Sequence, residues 1–341
     1  MYDIDFVITW LDDSDPVWRA EKAKYNNEEG LNNEVRFRDW DLLKYWFRSV
    51  EKYAPWVRTI HLVTYGHIPD WLNTENPKLH IVKHQDYIPS KYLPTFNSHT
   101  IELNMHRIPG LADHFVYFND DVFITRPVSP EFFFENGLPK DLFALRIINY
   151  KSDNKNAFKT DDNNSFTYAN DVRVINNNFN AREVYKKHWA KLFSPRNGIR
   201  KTIRTIRIWS VCRGFFPGFF NPHVHFSFLK STFEEVWKKE PEVLDKTCMC
   251  KFRDPHVNVG PSLMRAWQFV QGNYIPRPGR FTKVRALNND NIPSVVQSIK
   301  EHQYYVLCIN DNYQLKSIQK AQAAIADAFE NTLPDKSSFE K

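Results

Sequence analysis

Long apolar runs are missing from this 341-residue sequence. A helix that spans a bilayer needs about 20 consecutive apolar residues, and no stretch approaches that length. The N-terminus carries Asp3 and Asp5 and leads at once into a strand-like pattern, so no signal peptide is predicted. We therefore expect a cytoplasmic protein without a membrane-spanning segment.

Cysteine is scarce, and neither sign of charge dominates. The four cysteines do not have the spacing of a disulfide framework, so reduced thiols are expected. The formal net charge of +6 is too small to indicate a nucleic-acid-binding protein. It fits an enzyme that handles anionic substrates, or a protein that rests on an acidic membrane surface.

The sequence does contain alternating strand-like and helical segments. Apolar residues follow helical spacing between 42 and 50, where Asp39 can cap the helix, and residues 319–329 form an Ala-rich terminal helix pattern. Strand patterns occupy residues 4–10, 59–64, 79–84 and 115–118. This alternation predicts an α/β fold with a mostly parallel central sheet.

Polar residues follow several of these predicted strands, at positions 10–12, 64–66 and 119–121. Ligands of parallel α/β sheets bind at the carboxyl ends of the strands, so these residues are expected at one edge. Asp120 and Asp121 interrupt an aromatic run, and paired carboxylates are ligands that Mg²⁺ or Mn²⁺ prefers. A turn or a helix cap is the alternative interpretation.

Two arginines stand close together between the first strand and the first long helix. Arg36 and Arg38 project the same way if the segment is extended, which suits binding of a diphosphate. Salt bridges to Asp12 or Asp15 are the structural alternative.

Other polar side chains are candidates for substrate binding or proton transfer. Asn97 and Ser98 can bind sugar hydroxyls, or they can cap the helix that begins near Thr100. His223 and His225 face one side of an extended segment, and either can act as a general base.

Two insertions are predicted in the second half of the chain. Residues 150–180 are rich in Asn, Asp, Lys and Ser, as in a mobile loop or an insertion over the site. Between Arg196 and Arg213 there are six basic residues and no acidic one, interleaved with isoleucines and followed by aromatics at 215–220. This composition is typical of an interfacial membrane anchor, and equally of a basic helix packed on the core.

In order along the chain, several segments resemble the conserved blocks of the Stealth family. These are bacterial capsular polysaccharide phosphotransferases, related to the animal N-acetylglucosamine-1-phosphotransferase that tags lysosomal enzymes. The second block is matched almost continuously from Arg36 to Val122. Its distinctive parts are residues 36–39, 53–58, 68–72, 93–98, 106–111 and 119–122. The other resemblances are residues 4–15 to the first block, His223 with 231–237 and 251–253 to the third, and 308–312 to the fourth.

The resemblance implies a single catalytic domain over residues 1–341, GT-A-like or Rossmann-like, with a mostly parallel central sheet and inserted loops. Residues 1–148 would bind metal and nucleotide sugar. Residues 221–341 would carry the catalytic His and Arg, with the polar insertion (150–180) and the basic amphipathic insertion (195–220) between the two halves.

The implied reaction transfers a sugar 1-phosphate from a UDP-sugar to a glycan hydroxyl and releases UMP. The glycan acceptor can be lipid-linked, with peripheral contact of residues 196–220 at the inner face of the bacterial membrane. No nucleic-acid partner is implied. A metal-dependent GT-A-type glycosyltransferase that releases UDP is the alternative, and a non-catalytic nucleotide-sugar sensor is the alternative from another class.

The resemblance also assigns roles to residues. Catalysis is implied for His223 as base, Arg253 and Asp120, although the choice between His223 and His225 stays open. Mg²⁺ or Mn²⁺ would be held by Asp120 and Asp121, with Asp311 and Asn312 as further ligands of the metal or of the donor. The implied donor-binding residues are Trp10, Asp12, Asp15, Arg36, Arg38, Asp39, Asn97 and Ser98.

Overall fold

The structure is a computed structural model, and it describes residues 2–25, 37–148, 163–311 and 315–341. The strands are β1 (Ile4–Thr9), β2 (Ile60–Thr64), β3 (Leu79–Lys83), β4 (His114–Phe118), β5 (Val122–Ile124), β6 (Phe134–Glu135), β7 (Leu138–Asp141), β8 (Phe226–Leu229), β9 (Ile275–Pro276), β10 (Thr282–Ala286) and β11 (Val306–Asn310).

Helices surround these strands. They are α1 (Pro16–Ala23), α2 (Leu43–Tyr53), α3 (His84–Tyr87), α4 (Ser98–Leu103), α5 (Pro130–Phe133), α6 (Asn163–Asn178), α7 (Ala181–Leu192), α8 (Ile199–Val211), α9 (Lys230–Lys239), α10 (Pro241–Met249), α11 (Pro261–Gln271), α12 (Ile292–Lys300) and α13 (Ile318–Thr332). None of the described helices is both long and apolar enough to cross a membrane.

The central sheet has five strands in the order β3-β2-β1-β4-β8. The first four are parallel, and β8 runs antiparallel to β4. The register pairs Phe6 with Ile60 on one side and with Val116 on the other. The predicted α/β class with a mostly parallel central sheet is confirmed.

Both faces of this sheet are covered, which explains why its strands read as nearly continuous apolar runs. Alternate side chains of β1 point to opposite faces. Val7 joins a core that includes α7, α9 and α11, whereas Phe6 and Ile8 join a second core that includes α2, α12 and α13. The carboxyl edge of the sheet remains between the two cores as the place where polar side chains collect.

A second, three-stranded sheet brings the far end of the chain to this edge. Its order is β10-β11-β5, with β10 and β11 parallel and β11 antiparallel to β5. The amide of Ile309 donates to the carbonyl of Asp121 at 2.8 Å. The end of β11 therefore lies directly beside the turn that follows β4. The third sheet has the order β6-β7-β9.

The predicted elements agree with the observed ones, and their bounds shift by one to three residues, but the cap predicted for α2 is wrong. The N-cap of α2 is Leu42, without a side-chain hydrogen bond. Asp39 instead accepts hydrogen bonds from the indole of Trp10, at 3.1 Å, and from the amide of Asp41, at 2.9 Å. These contacts hold its carboxylate at the sheet edge.

Of the two alternatives predicted for residues 150–180, a mobile loop or an insertion, the loop is wrong for the part that the structure describes, because 163–178 form α6. Phe166, Val172 and Ile175 are buried. The amide of Asn170 donates to the carbonyls of Pro255 and Asn258, both at 3.0 Å. A high content of Asn is therefore compatible with a packed helix here, since buried amides find backbone partners. The remainder of the prediction, 150–162, lies outside the described residues.

Candidate functional site

One carboxylate oxygen is the meeting point of three parts of the chain. Oδ2 of Asp121 lies 3.2 Å from Nε2 of His223, and it accepts hydrogen bonds from the amide of Asn310 at 3.1 Å and the thiol of Cys308 at 3.3 Å. The other oxygen, Oδ1, is buried without a hydrogen-bond partner. A buried carboxylate oxygen without a partner is costly, so Oδ1 marks a position where a ligand can bind.

The strand order explains why these residues meet. Asp121 lies in the turn after β4, which is closed by the hydrogen bond from the amide of Val122 to the carbonyl of Asn119 at 3.1 Å. His223 comes just before β8, the antiparallel neighbour of β4, and β11 pairs with β5 immediately beyond the turn. Sequence-distant side chains thus converge because three strand ends share one edge.

The structure separates the two candidate histidines. His223 is half-buried and contacts Asp121, and its Nε2 also lies 3.4 Å from the amide nitrogen of Asn119. His225 is buried among Phe118, Phe132 and Phe133, and its Nε2 accepts a hydrogen bond from Arg277 at 3.1 Å. Burial and the nearby arginines lower the pKa of His225 well below its usual value. Of the two histidines, His223 is the one that contacts Asp121.

His223 and Asp121 shift each other's pKa in the directions expected of an ion pair. Burial by itself raises the pKa of Asp121, but the charge and hydrogen bond of His223 bring it below its usual value. Burial by itself lowers the pKa of His223, and Asp121 raises it above its usual value. The pair is therefore held in its charged form by mutual attraction.

The pKa of Asp120 is shifted in the opposite direction from that of Asp121. Burial, the neighbouring Asp121 and the carboxylate of Asp39 raise its pKa to about 8. Burial, together with Asp41 and Asp12, raises the pKa of Asp39 to about 6. Closely spaced carboxylates in partial burial create a negative potential that a cation would relieve.

The donor set fits a hard divalent cation. Oδ1 of Asp121 and Oδ1 of Asp311 are both buried without a hydrogen-bond partner, and Asp120 adds a further carboxylate. One ligand atom each from Asp121, His223 and Cys308 also lie within 4.8 Å of one another. Burial and Asp121 raise the pKa of Cys308 well above its usual value, and its thiol donates a hydrogen bond to Oδ2 of Asp121.

An arginine and a buried acid interact electrostatically with His223. Arg253 donates through Nε to the hydroxyl of Ser98 at 3.0 Å, and the guanidinium makes a second contact with the same hydroxyl. Glu102 is buried, and it accepts a hydrogen bond from the phenol of Tyr117 at 3.0 Å. Burial raises the pKa of Glu102, and the charges of Arg253 and His223 oppose that rise. Ser98 thus anchors Arg253 in an electrostatic cluster with His223.

The predicted donor-binding residues of the first block lie at the same edge, with different contacts. Trp10 is buried, and its ring lies edge-on to His67. The amide of Asp12 donates to Nε2 of His67 at 2.9 Å, and Asp15 caps α1 through a bond from the amide of Trp18 at 2.8 Å. Trp10 therefore packs against His67 and donates to Asp39, and little of its side chain is exposed among the described residues.

Arg38 is paired with the far end of the chain. It donates to Oδ2 of Asp311 at 2.7 Å, so the alternative salt bridges to Asp12 or Asp15 are wrong for this arginine. The contact closes the site between the segment before α2 and the end of β11. Arg36 and Asn312 lie outside the described residues.

For Asn97 the capping interpretation is the one that the contacts support. Asn97 is fully buried, and its side-chain oxygen accepts from the amide of His99 at 3.1 Å at the start of α4. Its amide nitrogen donates to Asn258 at 3.0 Å. These contacts occupy the side chain, and Ser98 is the residue of this pair that reaches the arginine.

Sequence reasoning missed Cys308, Asn310, Glu102 and Tyr117. A signal existed for the first two, because alternation along β11 places positions 308 and 310 on one face, next to the predicted Asp311. Glu102 was detectable as the one acid within the short helix α4. Tyr117 offered no signal, because it reads as part of the apolar strand β4.

Two family models match the chain. The model of Stealth protein CR1, conserved region 1, matches residues 2–30, and the model of Stealth protein CR2, conserved region 2, matches residues 36–141. Together they contain Asp12, Arg38, Ser98 and the Asp120–Asp121 pair. The matched regions therefore include most of the amino-terminal side of the site.

Curated relatives match over nearly the full chain. A capsular polysaccharide phosphotransferase WcwK of Streptococcus pneumoniae is 39% identical over 100% of this chain and 99% of its own length. A receptor polysaccharide phosphotransferase WefC of Streptococcus gordonii is 38% identical, covering 99% and 98%. An exopolysaccharide phosphotransferase cps2G of Lactiplantibacillus plantarum is 39% identical, covering 100% and 97%.

Among solved structures, galactosyltransferase LgtC in complex with donor and acceptor sugar analogs has a TM-score of 0.42 at 11% identity, covering 98% of this chain and 96% of that one.

Proposed function

Because this chain belongs to the Stealth family, we propose that it transfers a sugar 1-phosphate from a UDP-sugar to a glycan hydroxyl in the synthesis of a capsular or other surface polysaccharide, releasing UMP. The relatives named above are phosphotransferases of capsular, receptor or extracellular polysaccharides. The observation that carries the proposal is the 3.2 Å contact between His223 and Asp121 beside a second carboxylate and an anchored arginine.

The bond changes follow from this assignment. The acceptor oxygen forms a bond to the β-phosphorus, and the bond from that phosphorus to the bridging oxygen of the diphosphate breaks. UMP leaves with the bridging oxygen, and the hydroxyl proton passes to the enzyme. The product is a phosphodiester between the transferred sugar and the glycan.

His223 is the residue that takes the proton in this proposal. Asp121 fixes the orientation of its imidazole, and Asn119 lies close on the same side. A positioned general base contributes about 10²–10⁴ in rate. The imidazole must be neutral to act, so proton loss from the ion pair with Asp121 precedes the transfer.

Arg253 stabilises negative charge on the transferred phosphoryl oxygens. Ser98 holds its guanidinium near His223 and leaves the remaining N–H donors for the substrate. We propose that Arg38 contributes a second positive charge to the donor diphosphate, with Asp311 keeping it in place. Fixed charges of this kind stabilise a transition state without reorganisation.

We propose that Asp120, Asp121 and Asp311 would hold a divalent cation, Mg²⁺ or Mn²⁺. When bound, such an ion supplies neutralisation of the diphosphate and of the leaving phosphate. We propose that Asp12 and Asp15 contact the nucleoside, with Trp10 and Asp39 positioning the edge of that site. These roles rest on the location of the side chains at the carboxyl ends of β1 and β4.

Product analysis tests the proposal. The purified protein is incubated with Mg²⁺, a panel of UDP-sugars and an oligosaccharide acceptor, and the released nucleotide is identified by chromatography. UMP is expected. Release of UDP would make the protein a glycosyltransferase that moves the sugar alone and would withdraw the roles of His223 and Arg253.

A histidine pair supplies the control. His223→Gln should abolish UMP release, whereas His225→Gln should retain it, because a glutamine oxygen can still accept the bond from Arg277. Equal loss in both variants, with unfolding temperatures near that of the natural protein, would contradict the assignment of His223 as the base.

A further inference from the structure

Helices α7 and α8 present an unusual surface, whose residues have no part in the proposed mechanism. Six of the ten large hydrophobic side chains that are exposed among the described residues lie between positions 189 and 215. We call the outward face of residues 182–215 the apolar-basic surface. Its exposed hydrophobic members are Trp189, Ile199, Ile203, Ile206, Val211 and Phe215.

Several side chains of α8 have the opposite of the arrangement that is usual on a surface helix, because polar ones face the protein and apolar ones face outward. Thr202 and Thr205 face the protein, where Thr202 donates to the carbonyl of Ser194 at 2.8 Å and Thr205 accepts from the amide of Leu145 at 3.1 Å. Ile203 and Ile206 face outward. Exposed apolar area is unfavourable in water, so an apolar face of this kind indicates an apolar environment at this surface.

The same surface is strongly cationic. Ten lysine and arginine residues and a single acid, Glu183, occur between positions 182 and 213. Three of the cations lie over aromatic rings, Lys191 at 6.0 Å from the ring centre of Tyr274, Lys201 at 3.2 Å from that of Phe220 and Arg213 at 4.9 Å from that of Trp209. The surface therefore combines positive charge with exposed isoleucine and aromatic side chains.

A cleft of about 710 Å³ opens between α7 and α8. Its walls include the rings of Trp189, Phe193 and Trp209, and Arg182 and Arg213 also line it. An apolar cleft with guanidinium groups suits a molecule that has a hydrocarbon chain joined to an anionic head. Phospholipids have that chemistry.

We propose that the apolar-basic surface binds the headgroup plane of an anionic lipid bilayer, with the cleft occupied by one anionic phospholipid. A bilayer supplies both negative charge and an apolar layer a few ångströms below it, which matches the alternation of arginine and isoleucine along α8. From position 213 to position 223 the chain covers ten residues, at most about 35 Å. The bilayer would then lie within about 35 Å of His223, and we propose that a lipid-linked acceptor reaches the site from it.

Vesicle flotation tests the proposal without any assay of the reaction. The full chain is mixed with vesicles of phosphatidylcholine alone, or with about one third phosphatidylglycerol, at low and high salt. We expect binding to the anionic vesicles, weaker binding in high salt, and little binding to the neutral ones. Absence of binding to anionic vesicles would overturn the proposal, and formation of a dimer through this surface would assign it to a second copy of the chain.

Charge variants and apolar variants separate the two parts of the surface. Arg204→Gln with Arg207→Gln should weaken binding about thirtyfold, since each cation near an anionic surface contributes about fivefold. Lys238→Gln with Lys300→Gln removes the same charge from exposed positions elsewhere and should have little effect. If both double variants weakened vesicle binding equally, the effect would depend on net charge alone, and the proposal would be overturned.

Ile203→Ser with Ile206→Ser leaves the charge unchanged and should also weaken vesicle binding. Vesicles with brominated acyl chains should quench tryptophan fluorescence, and Trp189→Phe should reduce that quenching. Unchanged binding by the isoleucine variant, or quenching that does not depend on Trp189, would contradict apolar insertion and occupation of the cleft. UMP release with a soluble oligosaccharide acceptor should be unchanged in all these variants, so membrane binding and the proposed reaction fail or succeed separately.

Discussion

At the scale of single residues, the site depends on the different contacts of the two carboxylate oxygens of Asp121. Oδ2 is saturated by His223, Asn310 and Cys308, whereas buried Oδ1 has no partner. One oxygen therefore orients the proposed base, and the other is free for an ion or substrate. A single carboxylate can in this way connect proton transfer to charge neutralisation.

Asp121→Asn should lower turnover by at least about 10². The amide keeps the shape of the carboxylate but removes the charge that holds His223 in place and that would bind a cation. Steady-state rates of UMP release measure the effect. Asp113→Asn, at an exposed position just before β4, is the control and should keep full activity; a similar loss in both would contradict the assignment.

Ser98→Ala should lower turnover by about tenfold and leave the unfolding temperature nearly unchanged. The hydroxyl accepts two contacts from Arg253, so its loss releases the guanidinium without removing its charge. Arg253→Ala should cost more than Ser98→Ala, and the double variant should be no worse than Arg253→Ala alone, because the two residues act as one unit. Additive losses in this cycle would show that Ser98 acts independently of Arg253.

The sequence predicts some of these residues better than others for a physical reason. Asp120 and Asp121 interrupt an apolar strand and are visible at once. Cys308 and Asn310 contact Asp121 across 187 and 189 positions, and no local pattern encodes a contact at that separation. Trp10 was implied as a donor-binding residue, and its burial does not follow from the sequence, because the exposure of an aromatic ring depends on tertiary packing.

At the scale of elements, the parallel strands are fastened together by a buried carboxylate. Asp5 on β1 is fully buried and accepts hydrogen bonds from Arg58 at 2.8 Å and from the amide of Ala112 at 2.8 Å. Nε2 of His61 on β2 lies 3.0 Å from it. Burial by itself would raise the pKa of Asp5, but these partners lower it to about 2. The carboxylate thus ties β1, β2 and the segment before β4.

The lowered pKa of Asp5 predicts a particular pH dependence of stability. A group with a folded-state pKa below its unfolded value stabilises the protein above the unfolded pKa, and the stabilisation is lost as pH falls through the folded pKa. The contribution should be roughly 2 kcal/mol at pH 7 and should fall between about pH 4 and pH 2. Urea unfolding of Asp5→Asn at a series of pH values measures it.

Asp3→Asn provides the matched control for Asp5→Asn. Asp3 lies 3.7 Å from the same arginine but is largely exposed, so its loss should change stability by well under 1 kcal/mol at any pH. If the two variants had the same pH dependence, the buried ties of Asp5 would not be the source of the effect.

Element prediction succeeded where periodicity and burial agree, and failed where composition was used instead. The strands β1 to β4 were predicted within one residue at each end because both faces of the sheet demand apolar residues. The helix α6 was predicted as a loop because of its asparagines, yet Phe166, Val172 and Ile175 pack into the core. Polar composition indicates exposure only when the amides lack buried partners.

At the scale of the whole molecule, the C-terminal segment is clamped to the first half of the chain. Arg48 on α2 is almost fully buried, and it donates to Glu340 at 2.8 Å and to the carbonyl of Leu333 at 2.8 Å. Glu330 on α13 adds a third contact at 3.1 Å. This clamp covers the core that supports β5 and β11, and therefore the carboxyl edge of the sheet.

Arg48→Ala should lower the free energy of unfolding by about 3 kcal/mol, because it leaves the buried carboxylate of Glu340 without its partner. Thermal or urea unfolding measures the loss. Lys52→Ala, an exposed position on the same helix that contacts the carbonyl of Thr332, should cost less than about 1 kcal/mol. A loss of similar size in both variants would count against the clamp.

The α/β class and its mostly parallel sheet follow from the sequence because strand and helix periods alternate over long stretches. The joining of β11 to β5, which completes the site, does not follow, since those strands lie about 180 residues apart. The resemblance to the Stealth family implied a site role for Asp311, and the ion pair between Arg38 and Asp311 brings the end of β11 to the segment before α2.

The fate of the β-phosphorus tests the central claim most directly. The protein is incubated with UDP-sugar labelled with ³²P at the β position, a divalent cation and an oligosaccharide acceptor, and the glycan and nucleotide products are separated. Transfer of a sugar 1-phosphate predicts that the label appears in the glycan and that the released UMP is unlabelled. Label retained in released UDP, with an unlabelled glycan product, would contradict it.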